Sequence, residues 1–159
     1  MKKNILIQGM GYVGFANAIA CASAKKNNKY IYNVTGLEKN NTIGKKKLSK
    51  FINKIPPIKT LDKSINNNFI KHLRIGNLSC SIDDNAIKKA DIILSCIDLN
   101  YVNFSRNISN YLKSIETIFK KIGNKKCDII LQSTLPPGVT EKKIYPLMKK
   151  ILLKRKISL

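Results

Sequence analysis

Lys3-Asn4-Ile5-Leu6-Ile7-Gln8, then Gly9-Met10-Gly11-Tyr12-Val13-Gly14, then the small-residue run from Phe15 to Ala24 form the stretch on which the fold turns. The first six residues contain an apolar run that reads as a buried strand. The last ten are rich in alanine and read as a helix able to lie close to a sheet. A G-x-G-x-x-G loop is a weak signal alone, but here it leaves a strand and opens a helix, the context a dinucleotide-binding turn requires. Gly9 permits the tight turn, Gly11 lets a pyrophosphate approach the backbone, and Gly14 lets the helix sit against the strand. The N–H groups of Tyr12 and Val13 then face the phosphates at the positive end of the helix dipole.

A second strand fits Ile31 to Leu37 and ends at Glu38, 24 residues after Gly14. A carboxylate there can accept hydrogen bonds from both adenosine ribose hydroxyls and repels a 2′-phosphate, which favours NAD over NADP, while neighbouring Lys39 weakens the preference. The segment from Asn40 to His72, with Pro56-Pro57, reads as one or two polar helices and loops, its lysines expected to keep an irregular surface soluble. Beyond it, Asp83 or Asp84 caps a short helix over 85–89, and Asp91 leads into a central-strand run, Ile92 to Ile97. Ile108, Leu112, Ile115, Ile118 and Ile122 recur at helical spacing up to Gly123. Cys127 to Gln132 reads as a strand, Ser133 to Gly138 as a turn, Val139 to Lys154 as a helix, and Ile157 as a strand just begun. Strands alternating with helices give an α/β fold: a Rossmann-type, doubly wound parallel sheet in three α/β/α layers. The expected organisation is one domain over residues 1–159, ending at the start of a sixth strand.

The chain has 159 residues and a formal charge of +21, from 30 Lys and Arg against 9 Asp and Glu. Lys, Asn and Ile make up 70 of the residues, a bias that A/T-rich codons alone produce. Only Arg74, Arg106 and Arg155 are arginines, and the lysines fall in twos and threes without interleaved aromatics. That is a solvated surface rather than a specific nucleic-acid footprint. No apolar run approaches the roughly 18–20 residues of a membrane span. Met1-Lys2-Lys3-Asn4 leads into only three apolar residues before the glycines, so a cytoplasmic location is expected and no membrane partner. Cys21, Cys80, Cys96 and Cys127 form no C-x-x-C pair, and His72 is the single histidine, so small buried thiols and no metal site are expected.

The remaining informative stretch is Gln132-Ser133-Thr134-Leu135-Pro136-Pro137-Gly138-Val139-Thr140. It lies at the carboxyl end of a strand, where open α/β sheets bind ligands, and its prolines and glycine fix a loop that presents hydroxyls. Together, the G-x-G-Y-V-G loop, Ala90-Asp91 before an apolar strand, and the S-T-x-x-P-G-like turn resemble the amino-terminal domain of the UDP-glucose/GDP-mannose dehydrogenase family. The resemblance spans essentially the whole chain. It implies strand order 3-2-1-4-5-6, with NAD as cofactor. Gly9, Gly11, Tyr12, Val13 and Gly14 would hold the pyrophosphate and Glu38 the adenosine ribose. Ile97 would line the cofactor, and Ser133, Thr134 and Leu135 would lie by the nicotinamide ribose. Thr134 matches a threonine that positions a water or substrate oxygen, a geometric and electrostatic role.

In that family a sugar alcohol of a nucleotide sugar passes through an aldehyde to a uronic acid in two hydride transfers, for polysaccharide biosynthesis. This sequence departs from the pattern in two places: Ile97-Asp98-Leu99-Asn100 replaces a common V-P-T-P, and Gln132 stands where glutamate is frequent. The family's thioester-forming cysteine, its catalytic lysine and asparagine, its central helix and its nucleotide-sugar domain lie further downstream than this sequence runs. The expectation is therefore a chain that binds NAD without complete catalysis, with a homo-oligomer only if the downstream segments are supplied. Two rival readings are a truncated, non-catalytic relic and another NAD-dependent Rossmann dehydrogenase or reductase acting, for example, on a hydroxy acid.

Overall fold

A computed structural model describes residues 2–157 except Asn100, Asn103, Phe104 and Asn107. Five strands, β1 (Lys3–Gln8), β2 (Tyr32–Leu37), β3 (Leu78–Ser81), β4 (Ile92–Ser95) and β5 (Asp128–Leu131), form one sheet in the order β3-β2-β1-β4-β5. Every pairing in it is parallel, with Ile5 opposite Val34 and Ile92, and Ile93 opposite Ile129. The order reverses at β1. There the chain runs outward to β2 and β3 and returns to β4 on the other side, which opens a crevice at the carboxyl ends of the strands. Two short antiparallel pairs, Lys25–Lys26 with Lys29–Tyr30 and Tyr101–Val102 with Ser105–Arg106, lie outside this sheet.

Alternation along β1 sends side chains to two separate cores. Ile5 and Ile7 join Val34, Leu78 and Leu94 under helices α1 (Tyr12–Ser23), α2 (Thr42–Ile52) and α3 (Lys63–Ile75). Phe69 is the hub of that layer, meeting Phe15 edge-on at 5.4 Å and Phe51 at 5.0 Å. Leu6, Leu37 and Ile93 face the opposite layer, made of the 3-10 helix Asp84–Lys89 and helices α4 (Ser109–Lys121) and α5 (Tyr145–Lys154). Arg155 ties that layer together by donating to the carbonyls of Phe119 (2.8 Å) and Ile122 (2.6 Å) at the end of α4. The Ala90-Asp91 marker has a structural job. Asp91 Oδ2 accepts from the Asn4 N–H at 2.7 Å, which together with Lys125 holds the carboxyl below the usual range and fixes where β4 starts against β1.

The sequence reading holds for β1, β2, β4 and β5 and for the capping by Asp83, whose carboxylate accepts from the Asn85 N–H at 2.9 Å. It missed β3. That strand is a four-residue edge, with Leu78 alone fully buried, too short and too polar to show a period of two. The helix expected over 139–154 begins as a π-helical turn, Thr140–Ile144, before α5. Pro146 accounts for this: it lacks the N–H that would bond the Lys142 carbonyl, so the preceding turn widens. The Ile157 N–H donates to the Leu152 carbonyl and closes the end of α5, so Ile157, where a sixth strand was expected to begin, is in no strand, and the rest of that expected strand lies outside the described residues. Among the described residues no helix is long and apolar enough to cross a membrane.

Candidate functional site

Four strands continue their ladders into the loops at the carboxyl edge. Gly9 N donates to Leu37 O (2.9 Å), Glu38 N to Ser81 O (2.9 Å), Cys96 N to Gln8 O (2.8 Å) and Gln132 N to Ser95 O (2.9 Å). These bonds bring the glycine loop, Glu38, the 96–98 segment and the Ser133 turn to one edge. A cavity of about 680 Å³ opens there, its wall including Gly9, Gly11, Glu38, Lys47, Ile97 and Asp98. Leu37, Ile43, Ile82 and Ile87 add an apolar side to it. The residues of 40–72 do more here than solvate a surface, because Asn40, Asn41, Ile43 and Lys47 all line this cavity.

The glycine loop has the conformation its spacing implies. Gly9 takes φ +89°, a region that L side chains avoid. A Cβ on Gly14 would sit 1.9 Å from the Gly9 carbonyl oxygen, so only glycine lets α1 start this close to β1. Gly11 differs from both: a Cβ there would meet nothing within 4 Å, because the space beside it is the cavity. Gly11 caps α1 without a side-chain bond, so among the described residues no capping side chain closes the first turn of the helix. Tyr12 and Val13 are exposed beside the loop and Gly14 is buried beneath it.

Glu38 is already engaged. Its Oε1 accepts from the Met10 N–H at 2.7 Å and from Lys47 Nζ at 2.5 Å, and both side chains are largely shielded from water. The acid thus pins the glycine loop to the end of β2. Neither partner was visible from spacing: Met10 donates through its backbone, and Lys47 reaches back from the middle of α2.

The Ser133 turn joins the site through one bond, Ser133 Oγ to the Ile97 carbonyl at 2.5 Å. Leu135 packs against the α4–α5 core, and Thr134 is exposed at the surface of the turn. Ser133 thus meets Ile97 from behind the cavity wall, and Ser133, Thr134 and Leu135 are not among the residues that line the cavity. Beneath them runs a buried polar chain: Ser95 Oγ donates to Gln8 Oε1 (3.0 Å), and Gln8 Nε2 donates to Ser114 O (3.1 Å). Burial pushes the Tyr111 phenol up, the nearby hydroxyls of Ser133 and Ser95 tempering the rise. Neither makes a bond of full geometry, and among the described residues the buried Tyr111 hydroxyl has no hydrogen-bond partner. Gln132, where the family often has glutamate, holds the turn to α1 by accepting from Asn17 Nδ2 at 2.6 Å and from Cys96 Sγ at 3.2 Å.

A profile of the UDP-glucose/GDP-mannose dehydrogenase family, NAD binding domain, matches residues 3–158. The chain belongs to that family. Among curated relatives of this UDP-glucose/GDP-mannose dehydrogenase domain, the UDP-glucose 6-dehydrogenase of Campylobacter jejuni is 32% identical over 142 residues, covering 86% of this chain and 32% of the relative. The UDP-N-acetyl-D-mannosamine dehydrogenase of Pyrococcus horikoshii is 25% identical over 138 residues, covering 87% of this chain and 30% of the relative. The chain spans about a third of the length of the curated relatives it matches. In fold it resembles the NDP-N-acetyl-D-galactosaminuronic acid dehydrogenase of Methanosarcina mazei, with a TM-score of 0.83 at 23% identity, over 94% of this chain and 31% of that one.

NAD is the cofactor of this dehydrogenase domain. The residues present suit it: an open backbone at Gly11 for a pyrophosphate, uncapped helix amides beside it, a carboxylate at the end of β2, and an apolar wall for a purine.

Proposed function

We propose that this chain holds NAD in the cavity at the carboxyl edge of the sheet, as the cofactor half of an enzyme that oxidises a UDP-sugar to its uronic acid. The observation that carries this is the convergence of Gly9, Gly11, Glu38 and Ile97 on one cavity of about 680 Å³. Gly11 and the amides of Tyr12 and Val13 take the pyrophosphate, while buried Gly14 keeps the helix end within reach. Glu38 has both its present partners on Oε1 and takes the adenosine ribose through its other oxygen. Ile97 and Leu135 exclude water on the nicotinamide side, and Ser133 and Thr134 meet the nicotinamide ribose. The chemistry NAD supplies when bound is acceptance of hydride from an alcohol carbon. Thr134 positions a water or substrate oxygen there and forms no covalent bond.

The sugar-binding and acyl-forming steps belong to the part of the family's length that these 159 residues do not span, and holding NAD is the part of the cycle these residues carry. Its setting is cytoplasmic synthesis of surface polysaccharide, without a nucleic-acid or membrane partner, as a homo-oligomer only where the rest of the enzyme is present. Calorimetric titration with NAD is the test. Saturable binding that weakens in Glu38→Ala and Gly11→Ala is the expected result. A folded chain that gives no binding heat by this or a displacement assay refutes the reading.

A further inference from the structure

Tyr111 stands in the first turn of α4 with 1% of its surface exposed, and among the described residues its hydroxyl has no hydrogen-bond partner. A buried group left unpaired costs stability, and a phenylalanine of the same shape would avoid that cost. The hydroxyls beside it belong to Ser133 and Ser95. Each serine has one hydrogen and has already given it away, Ser133 to the Ile97 carbonyl at 2.5 Å and Ser95 to Gln8 Oε1 at 3.0 Å. Both oxygens keep lone pairs and can only accept, so the Tyr111 O–H is the donor that suits them. Each arm ends on the cofactor cavity, since Ile97 and Gln8 both line it. The arms differ in freedom. Ser95 is fully buried and locked in the β4 ladder between Gln8 of β1 and Leu131 of β5. Ser133 is half-buried in the turn and can shift without breaking a strand.

We infer that Tyr111 is a positioning residue for the nicotinamide end of the site: as a dinucleotide seats against Ile97, the Ser133 turn settles inward and the Tyr111 hydroxyl donates to Ser133 Oγ. The inference rests on the proposed cofactor site and gives the orphaned hydroxyl a use, because the bond withheld from the empty protein is made on binding. Tyr111 touches neither dinucleotide nor substrate. It acts through Ser133, which holds the Ile97 carbonyl from behind the cavity wall. A hydrogen bond made only in the bound state strengthens binding about twofold to tenfold. Only a ligand that reaches the Ile97 wall gains it. ADP, which carries the adenosine and both phosphates but no nicotinamide ribose, does not.

The test is calorimetric titration of the full chain with NAD and with ADP, for wild type, Tyr111→Phe, Ser133→Ala and the double variant, with a thermal melt of each. Without ligand, Tyr111→Phe should melt no lower than wild type. It should bind NAD about twofold to tenfold more weakly and ADP as wild type does. In the Ser133→Ala background the loss from Tyr111→Phe should vanish. If Ser133→Ala does not fold, proton NMR of wild type replaces that arm: a slowly exchanging phenolic signal, absent from Tyr111→Phe, should appear when NAD is added. No change in NAD affinity in Tyr111→Phe, an equal loss for NAD and ADP, or a loss that persists in Ser133→Ala overturns the role of Tyr111 and leaves the cofactor site standing. So does a ligand-free Tyr111→Phe that melts below wild type, or a phenolic signal that NAD leaves unchanged. Wild type that binds no NAD overturns both.

Discussion

Gly11 and Gly14 stand three residues apart in one motif, yet the structure gives the same substitution opposite consequences at each. Gly11 has φ −78° and ψ −163°, which any residue adopts, and an added Cβ meets nothing within 4 Å. Gly11→Ala gains about 0.4–1 kcal/mol from a stiffer unfolded chain. It loses a comparable amount because alanine is a poorer helix N-cap than glycine. The two nearly cancel, so the melting temperature should stay within about 3 °C of wild type. The methyl group does occupy the space a pyrophosphate needs, and NAD affinity should fall about tenfold to a hundredfold. Gly14→Ala drives a Cβ to 1.9 Å from the Gly9 carbonyl, where backbone, not a flexible side chain, must move. A cost of about 3 kcal/mol or more follows, a fall of roughly 6–12 °C or failure to fold. Differential scanning calorimetry gives the stabilities and a dinucleotide titration the affinities. If Gly11→Ala binds NAD as tightly as wild type, the pyrophosphate does not lie there. A Gly14→Ala protein as stable as wild type would refute the close approach of α1 to β1.

Three further outcomes follow from buried polar groups. His72 is fully buried, its Nδ1 against Asn77 Oδ1 at 3.0 Å and its Nε2 against Ser23 Oγ at 2.9 Å. Asn77 spends its amide hydrogens on the Ala22 carbonyl, so its oxygen accepts and His72 carries its proton on Nδ1. Burial lowers the His72 pKa below 6.5, partly countered by Asn77 and reinforced by Lys71 and Lys25. The neutral ring is therefore the folded form: its contribution is fully present above about pH 6.5 and is lost as pH falls toward the lowered value. Denaturant titrations from pH 7.5 downward should show that loss, and a His72→Gln protein with the same pH slope would contradict it. Tyr111→Phe removes the orphaned hydroxyl and should raise stability by about 1 kcal/mol, roughly 2–4 °C, whereas a lower melting temperature would mean the hydroxyl is bonded after all. Burial pushes the Cys80 thiol up to about 12 and Cys127 to about 11, so at pH 8 both should react with a thiol reagent orders of magnitude more slowly than free cysteine. Rapid labelling of either in the folded protein would contradict their burial.

Much of the fold was legible because the elements near the sheet's centre carry strong local signals. Strands buried in the centre of the sheet, such as Ile5-Leu6-Ile7 and Ile92-Ile93-Leu94, must be continuously apolar, and glycine alone fits the positive φ at Gly9 and the close approach at Gly14. What escaped reading sits at the periphery. Leu78–Ser81 is an edge strand, recognisable only once β2 offers it a ladder from Val34 to Leu37. The lysines of α2 look alike in sequence, and only folding singles out Lys47 by bringing it to Glu38. Expected as small buried thiols, all four cysteines are partly rather than fully buried: Cys21, Cys80 and Cys96 pack against the outside of one core and Cys127 against the other.

By itself the sequence determined the alternation of strand and helix, the parallel sheet, the glycine turn between the first strand and helix, and the acid at the end of the second strand. Those are local properties, set by side-chain periodicity and by what a backbone of glycine allows. Only the tertiary structure decided that Glu38 is shared between the Met10 amide and Lys47, and that Ser133 meets Ile97. It likewise decided that one glycine of the loop faces open space while its neighbour faces a carbonyl. Those outcomes depend on atoms far apart along the chain arriving within about 3 Å of each other, and no spacing within a motif encodes that distance.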